Sequence, residues 1–295
     1  MSKLYKYYSN LDLVDFTSPS LKLASAHTLN DPFERILAKE LLNYCEILMD
    51  KDDRSYRMFK KLLGEDATIE ESYDTLLKQC GVVSLSETQH NLLMWAHYAN
   101  QHKGICIGYS SNVLENVTFP KFNKLPLINI PCKVNYDSKK TFDYKYELSF
   151  TSPSSFMKSV LTKVLTTKGD DWIYEKEHRF LIPLNTADRR LTFKDGERIE
   201  RIFHQWNAKR YTEKVRLKKL VYSNACNPEY HYLLDIEPKF ITDIYLGCRM
   251  PKTKAFEIRD YILKNRSTKH INVYKFKESN ERFELIVDKE FFKRK

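Results

Sequence analysis

The sequence predicts an α+β fold: one large domain on a mixed central sheet, with a helical insertion after the first strands. Three observations carry that expectation. Stretches of strand period and stretches of helix period follow one another without the strict strand–helix–strand alternation of a parallel α/β protein. The 295 residues are 42% hydrophobic and 13% aromatic, with 19 Tyr and 17 Phe, a composition that excludes a disordered chain. With only 7 Gly, no internal repeat and no low-complexity tract, collagen-like chains, linkers and solenoids are excluded too.

Taken in order, Leu4-Tyr5-Lys6-Tyr7 alternates and is rich in Tyr, so it reads as a strand, and Leu21-Lys22-Leu23-Ala24 reads as a second. In Asn30-Asp31-Pro32-Phe33-Glu34, Pro32 holds Asp31 extended, and Asn30 or Asp31 caps a helix expected from Phe33, with Ile36, Leu37, Leu41, Leu42, Cys45 and Leu48 at helical spacing. A charged gap at Asp50–Arg54 precedes a second helical stretch with Phe59, Leu62 and Leu63, and Ile69–Leu77 is a third. Gly81–Ser86 is a buried strand, Asn91–Ala99 a helix stopped at Lys103-Gly104, and Ile105–Tyr109 another buried strand. Residues 112–131, with Pro120, Pro126 and Pro131, read as a long loop around a weak strand. Val134–Tyr136 is a strand and Phe156–Leu165 a helix ended by Gly169-Asp170-Asp171. Trp172–Ile182 is expected as one strand finishing at Pro183. Lys219–Tyr222, Ile241–Leu246 and Ile271–Phe276 carry strand signals. Thr253–Leu263 is a helix behind Pro251, and Phe283–Val287 is an edge strand.

Charge divides the chain unevenly. Residues 1–200 hold 27 basic and 27 acidic side chains, whereas 201–295 hold 22 and 12, so the last third carries the whole net charge of +10. Its densest clusters are Lys209–Lys219, then Arg249, Lys252 and Lys254, then Lys293-Arg294-Lys295. Such a lobe either attracts a polyanion or is a solvated face. No zinc-finger or RRM signature accompanies it. We therefore expect a core domain at 1–200 holding the candidate active site, with a basic part at 201–295 packed on it. The opening Met1-Ser2-Lys3-Leu4 lacks the apolar core of a signal peptide, and no run approaches the roughly 18 apolar residues of a membrane span. The six cysteines are widely spaced with no CxxC pair. A reduced, cytoplasmic protein without a membrane partner is expected.

Three polar clusters stand beside buried-looking elements. Asn30–Glu34 reads either as a capped turn or as a turn whose backbone and Glu34 hold a ligand. Ser84-Leu85-Ser86-Glu87 precedes Met94-Trp95-Ala96-His97-Tyr98-Ala99 and His102-Lys103-Gly104. On a helix Met94, His97 and Tyr98 share a flank, while Trp95 points to the core. Ser84 and Ser86 either bind ribose or phosphate oxygens or cap the next helix. His97 and His102 are five apart, so no helical metal pair forms, and no metal site is expected. In Trp172–Phe180, an extended chain sets Glu175, Glu177 and Arg179 on one face. The two carboxylates repel and one pKa rises unless Arg179 neutralises them. This is either a charged surface strand or a carboxylate pair suited to a ribose hydroxyl and a developing cation.

Together the tyrosine-rich first strand, NDPFE at Asn30–Glu34, SLSE at Ser84–Glu87, MWxHYA with HxG at Met94–Gly104 and WxYExExR at Trp172–Arg179 resemble a bacterial domain-of-unknown-function family over most of residues 4–182. Its members look like components of defence or mobile-element loci. A more distant resemblance is to the ADP-ribosyltransferases. It implies a first-strand role for Tyr5 or Lys6, a central-strand role for Ser84 or Ser86, and Glu175 and Glu177 as the ExE pair, with NAD as the bound cofactor. Under it, Glu177 holds the ribose 2′-hydroxyl and Glu175 serves as base. His97 and Tyr98 contact the nicotinamide, and Arg179 or Arg35 the pyrophosphate. The basic third then suits a nucleic-acid acceptor. Two other readings stay open: a metal-dependent nuclease using Glu175, Glu177 and Asp31, and a non-catalytic sensor or partner-binding module.

Overall fold

Leu4, Lys6 and Tyr8 alternate with Tyr5 and Tyr7, and the segment pairs on both edges as strand β1 (Lys3–Tyr8). The computed structural model describes residues 2–40, 43, 68–117, 128–140, 153–194, 197–202 and 221–293. After β1 come a short helix α1 (Val14–Thr17), β2 (Ser20–Ser25), α2 (Ile69–Leu77), β3 (Cys80–Ser86), α3 (Leu92–Tyr98), β4 (Ile105–Ser110), β5 (Ile128–Lys133) and β6 (Asn135–Tyr136). Then follow α4 (Pro153–Leu165), β7 (Thr167–Lys168), β8 (Glu177–Pro183), β9 (Arg189–Lys194), β10 (Glu197–Ile202), β11 (His231–Asp235), β12 (Ile241–Leu246), α5 (Lys252–Lys264), β13 (Asn272–Glu278) and β14 (Leu285–Val287). The class is α+β, with a mixed sheet as its spine.

The main sheet runs β10-β9-β11-β2-β3-β1-β4-β12-β13-β14, with β8 on the other edge of β3 and β5 beyond β8. Only the β12–β13 pair within it is parallel, and α5 makes the crossover that parallel strands require. Alternation assigns the faces. Leu4, Val83, Leu85, Ile107, Phe180 and Ile244 pack with Ala255, Ile258 and Ile262 of α5. On the other face Cys80, Val82 and Leu181 meet α2 and α4, and Tyr7, Cys106 and Tyr245 meet Trp95 of α3. Capping fixes two of these helices. Thr68 and Glu71 form a reciprocal capping box on α2, and the Asn91 side chain accepts from Met94 N on α3. No helix among the described residues is long and apolar enough to cross a membrane.

One irregularity positions everything that follows. β8 pairs with β3 along its whole length, Cys80↔Pro183 to Ser86↔Glu177. The opposite edge of β3 is shared: β2 takes Gly81 and Val82, β1 takes Ser86, and no described strand pairs with 83–85 there. The sheet splits at that point, and the Lys6 ammonium donates to Ser84 O across the gap at 3.0 Å.

Three expectations are corrected. Residues 32–35 form a turn, not the start of a helix: the Asp31 carboxylate accepts from Phe33 N at 2.8 Å and holds the chain there. Residues 36–38 are irregular and helix is present at 39, 40 and 43, while residues 41, 42 and 44–67, with the stretch at Phe59–Leu63, lie outside the described residues. Val221 and Tyr222 are helical, because Val221 packs into the core and its carbonyl accepts from the Tyr232 hydroxyl at 3.0 Å. Trp172–Ile182 is a 3-10 helix over Asp170–Glu175 followed by β8, not one strand.

The stop after α3 is sharp. Asn100, Gln101 and His102 all have positive φ, and Gly104 then passes so close to β1 that a Cβ there would lie 2.2 Å from Tyr8 O. Gly104→Ala is therefore expected to lower stability by about 2–3 kcal/mol, seen as a lower urea midpoint with an unchanged slope. An unchanged midpoint would contradict this packing.

Candidate active site

Register brings three distant segments into one line. Tyr5 of β1 faces Ser86 of β3, and Ser86 faces Glu177 of β8; one step along, Ser84 faces Arg179. Residues opposite one another on neighbouring strands share a face. Tyr5, Ser84, Ser86, Glu177 and Arg179 thus point to the side covered by α3.

Glu175 arrives by another route. The 3-10 helix ends at Lys176, whose left-handed φ of 45° turns the chain into β8. Three hydrogen bonds fasten this corner. Asn91 Nδ2 donates to Tyr174 O at 2.8 Å, Ser86 Oγ to Glu175 O at 2.7 Å and Glu87 N to Lys176 O at 3.0 Å. The coil does not part the two acids. Lys168 Nζ lies 2.7 Å from Glu175 Oε2 and 3.6 Å from Glu177 Oε2.

The charges are buried and interlocked. Arg179, 1% exposed, grips Glu177 with both forks: Nε donates to Oε1 at 2.7 Å and Nη2 to Oε2 at 2.9 Å. Its Nη1 donates to Leu165 O and pairs with Glu34, whose other oxygen lies 3.4 Å from Lys168. Tyr98 donates to Glu175 Oε1 at 2.6 Å and accepts from Asn30 Nδ2. Lys168 is covered by the Trp172 ring, 4.4 Å from its centroid. Burial alone would raise the Glu177 carboxyl. Arg179, Lys168 and the Ser84 hydroxyl overcome it and bring the group down to about 2. Burial works against the Lys168 and Arg179 cations, and their carboxylate neighbours hold both above their ordinary values. The Tyr98 hydroxyl is pushed up by burial and by Glu175, so it stays a donor.

A cavity of about 130 Å³ opens onto this network. Of the residues singled out in the sequence, Tyr5, Lys6, Ser84, Ser86, Tyr98, Glu175, Glu177 and Arg179 border it. His97 does not: it is exposed on α3, about 60° round from Met94 on the side away from Tyr98, with its ring 6.4 Å from Tyr174. Arg35 is exposed and off the cavity, and Asp31 caps its own turn. Lys168 has no signal in the sequence, because it follows a helix at no informative spacing, yet it bridges three carboxylates. Glu175 and Glu177 are both paired with these cations. A larger cavity, of about 740 Å³, adjoins the first and shares Lys6, Tyr7 and Tyr98 with it.

Residues 94–180 match the model of a protein family of unknown function, DUF2971. The matched segment runs from α3 to β8 and contains Tyr98, Lys168, Glu175, Glu177 and Arg179, while Tyr5, Asn30, Ser84 and Ser86 precede it. Neither the curated proteins nor the solved structures yield a match.

Two outcomes follow from the buried charges. Arg179→Gln strands Glu34 and Glu177 and is expected to cost about 3–5 kcal/mol by urea unfolding, whereas Lys133→Gln, at an exposed pair with Glu87, shifts stability by less than about 1 kcal/mol. The Glu177 carboxyl titrates near 2 when folded and in the ordinary range near 4.5 when unfolded, so the folded state binds fewer protons between those values. Its contribution, on the order of 3 kcal/mol, is complete above pH 4.5 and lost as pH falls towards 2. Unfolding free energies at pH 6 and pH 3 should differ less in Glu177→Gln than in the wild type.

Proposed function

We propose that this chain is an ADP-ribosyltransferase-like enzyme that cleaves the nicotinamide–ribose bond of NAD. The observation that carries the reading is the row Tyr5–Ser86–Glu177 across three neighbouring strands, bordering one cavity with Glu175 and Tyr98. In that reading the C1′–N bond breaks and its electron pair leaves with nicotinamide. The ribose becomes transiently cationic. Glu177 stays ionised at any working pH and is fixed by the Arg179 fork, so its field on that cation needs no reorganisation. The acceptor, or water, forms the new bond at C1′ and gives its proton to Glu175, the other carboxylate at the cavity.

Size supports a divided substrate. About 130 Å³ is below the 300–1,000 Å³ of ordinary ligand pockets, so the first cavity accommodates the reacting end and the adjoining 740 Å³ the remainder. A nucleic-acid acceptor suits the surplus charge of residues 201–295, whose densest stretch, 209–219, lies outside the described residues. A defence or toxin role belongs to the same reading.

The test is release of nicotinamide from NAD by the purified chain, quantified by chromatography. Glu177→Gln is expected to reduce release at least about 100-fold. Tyr5→Phe removes one hydroxyl, leaves the ion network intact and should reduce release about tenfold or more with the melting temperature unchanged. Binding of NAD without release would return the non-catalytic reading, and neither binding nor release would remove NAD altogether.

A further inference from the structure

The larger cavity has a chemistry of its own. It lies between β1 and β4 on one side and β2, β11 and β9 on the other, where the sheet has split. Ile107, Leu191 and Leu233 supply apolar wall. Into it face two partly buried ammonium groups, Lys6 and Lys22. Among the described residues neither has a carboxylate within ion-pair distance: Lys6 has only the Ser84 carbonyl, and Lys22 has no partner of either kind.

Several other cations among the described residues are held differently. Lys168 and Arg179 sit among three carboxylates, Lys3 holds Asp243, Arg189 holds Asp235 and Glu200, and Lys275 donates to three backbone carbonyls. A cation withdrawn from water is kept where something offsets its desolvation. The cavity has carboxylates of its own, Asp12 and Asp15, in the turn after β1 and in α1. There Asp15 Oδ2 accepts from Asp12 N. Burial first, and then repulsion from Lys22, bring the Lys6 ammonium down to about 8. Burial lowers Lys22 as well, and His231 on the same wall is lowered by burial and by Lys22. Lys6 and Lys22 bear the marks of a site built for a charge that the described residues do not supply.

We propose that this cavity is a phosphoryl-binding site, in which Lys6 and Lys22 hold the oxyanions of a small phosphorylated ligand. Two ammonium point charges match a phosphoryl dianion or a pyrophosphate, and 740 Å³ suits a ligand of nucleotide size. If the NAD reading above holds, these are the oxyanions of that substrate's pyrophosphate. The site itself rests on the cavity and the lysines alone.

Inorganic pyrophosphate is the probe, read by calorimetric titration and by melting temperature against sodium chloride of equal ionic strength. The wild type should bind it and melt higher as it is added. Lys22→Gln should weaken binding about tenfold, Lys6→Gln likewise, and Lys22→Arg should restore most of it, while Lys252→Gln on exposed α5 should leave it unchanged. Equal affinity in wild type and Lys22→Gln, or no binding at millimolar pyrophosphate, would overturn the proposal. Glu177→Gln separates this idea from the catalytic one, because it should lose nicotinamide release and keep pyrophosphate binding. Competition between NAD and pyrophosphate identifies the dinucleotide as the source of the phosphates, and simultaneous binding identifies a separate phosphorylated ligand; both outcomes require the site.

Discussion

A guanidinium that water cannot reach holds the candidate site together. Arg179 lies between Glu177 on its own strand and Glu34 on the turn after Asp31, and Lys168 closes the ring by touching Glu34, Glu175 and Glu177. The five members come from four elements: β8, which supplies both Glu177 and Arg179, the Asp31–Glu34 turn, β7 and the 3-10 helix. Tyr98 and Asn30 carry the connection on to α3 and to the approach to that turn. Taking five ionisable groups out of water is costly. The pairs repay it only if geometry is good and the remaining lone pairs are filled. Here both oxygens of Glu177 and both of Glu175 are engaged, and Arg179 spends its last fork on the Leu165 carbonyl.

Such a network adds little net stability compared with a well-packed apolar core, so its value is specificity of arrangement. Arg179 and Glu177 are two residues apart on a strand and therefore share a face whatever the rest of the protein does. Lys168 and Glu175 are not so constrained. They reach the same spot because the intervening 3-10 turn, closed by the left-handed Lys176, folds back between β7 and β8. Trp172, within that coil, lies over the Lys168 ammonium and keeps its exposed side away from water. A fixed carboxylate that stays charged while enclosed by fixed donors is a preorganised electrostatic environment, the property a cationic transition state exploits.

Much of this was legible in the sequence, and the exceptions have physical causes. The alternation of Lys3–Tyr8, the apolar run at Ile105–Tyr109 and the helical spacing at Asn91–Ala99 are strong local signals, and each element formed where the pattern placed it. The line of Tyr5, Ser86 and Glu177 needed the right strands as neighbours, and no local pattern supplies that. The Trp172–Glu175 coil escaped because alternation of aromatic and charged residues is also what a short 3-10 turn with one inward carboxylate looks like. His97 was grouped with Met94 and Tyr98 on one helical flank, but i and i+4 face the cavity together while i+3 falls beside them. Strands β9 and β10 were missed because their side chains, as in Glu197–Ile202, are mostly charged, and they gain their place by pairing with each other and with β11. Lys168 was invisible for the same reason as the strand neighbours: its significance is wholly tertiary.

The split in the sheet joins these threads. Had β1 continued to pair with β3 beyond Ser86, or β2 continued past Val82, the ladder would have sealed the space between the two cavities, and the Ser84 carbonyl would have accepted from a backbone N–H. Instead that carbonyl is left to a side chain, and the residue that reaches it is a lysine. A neutral donor could have satisfied one carbonyl at less cost. An ammonium satisfies it and also leaves two further N–H donors at the junction of the two cavities, both of which Lys6 borders. The same backbone defect thus sets two cavities side by side, each with cations and carboxylates in its wall.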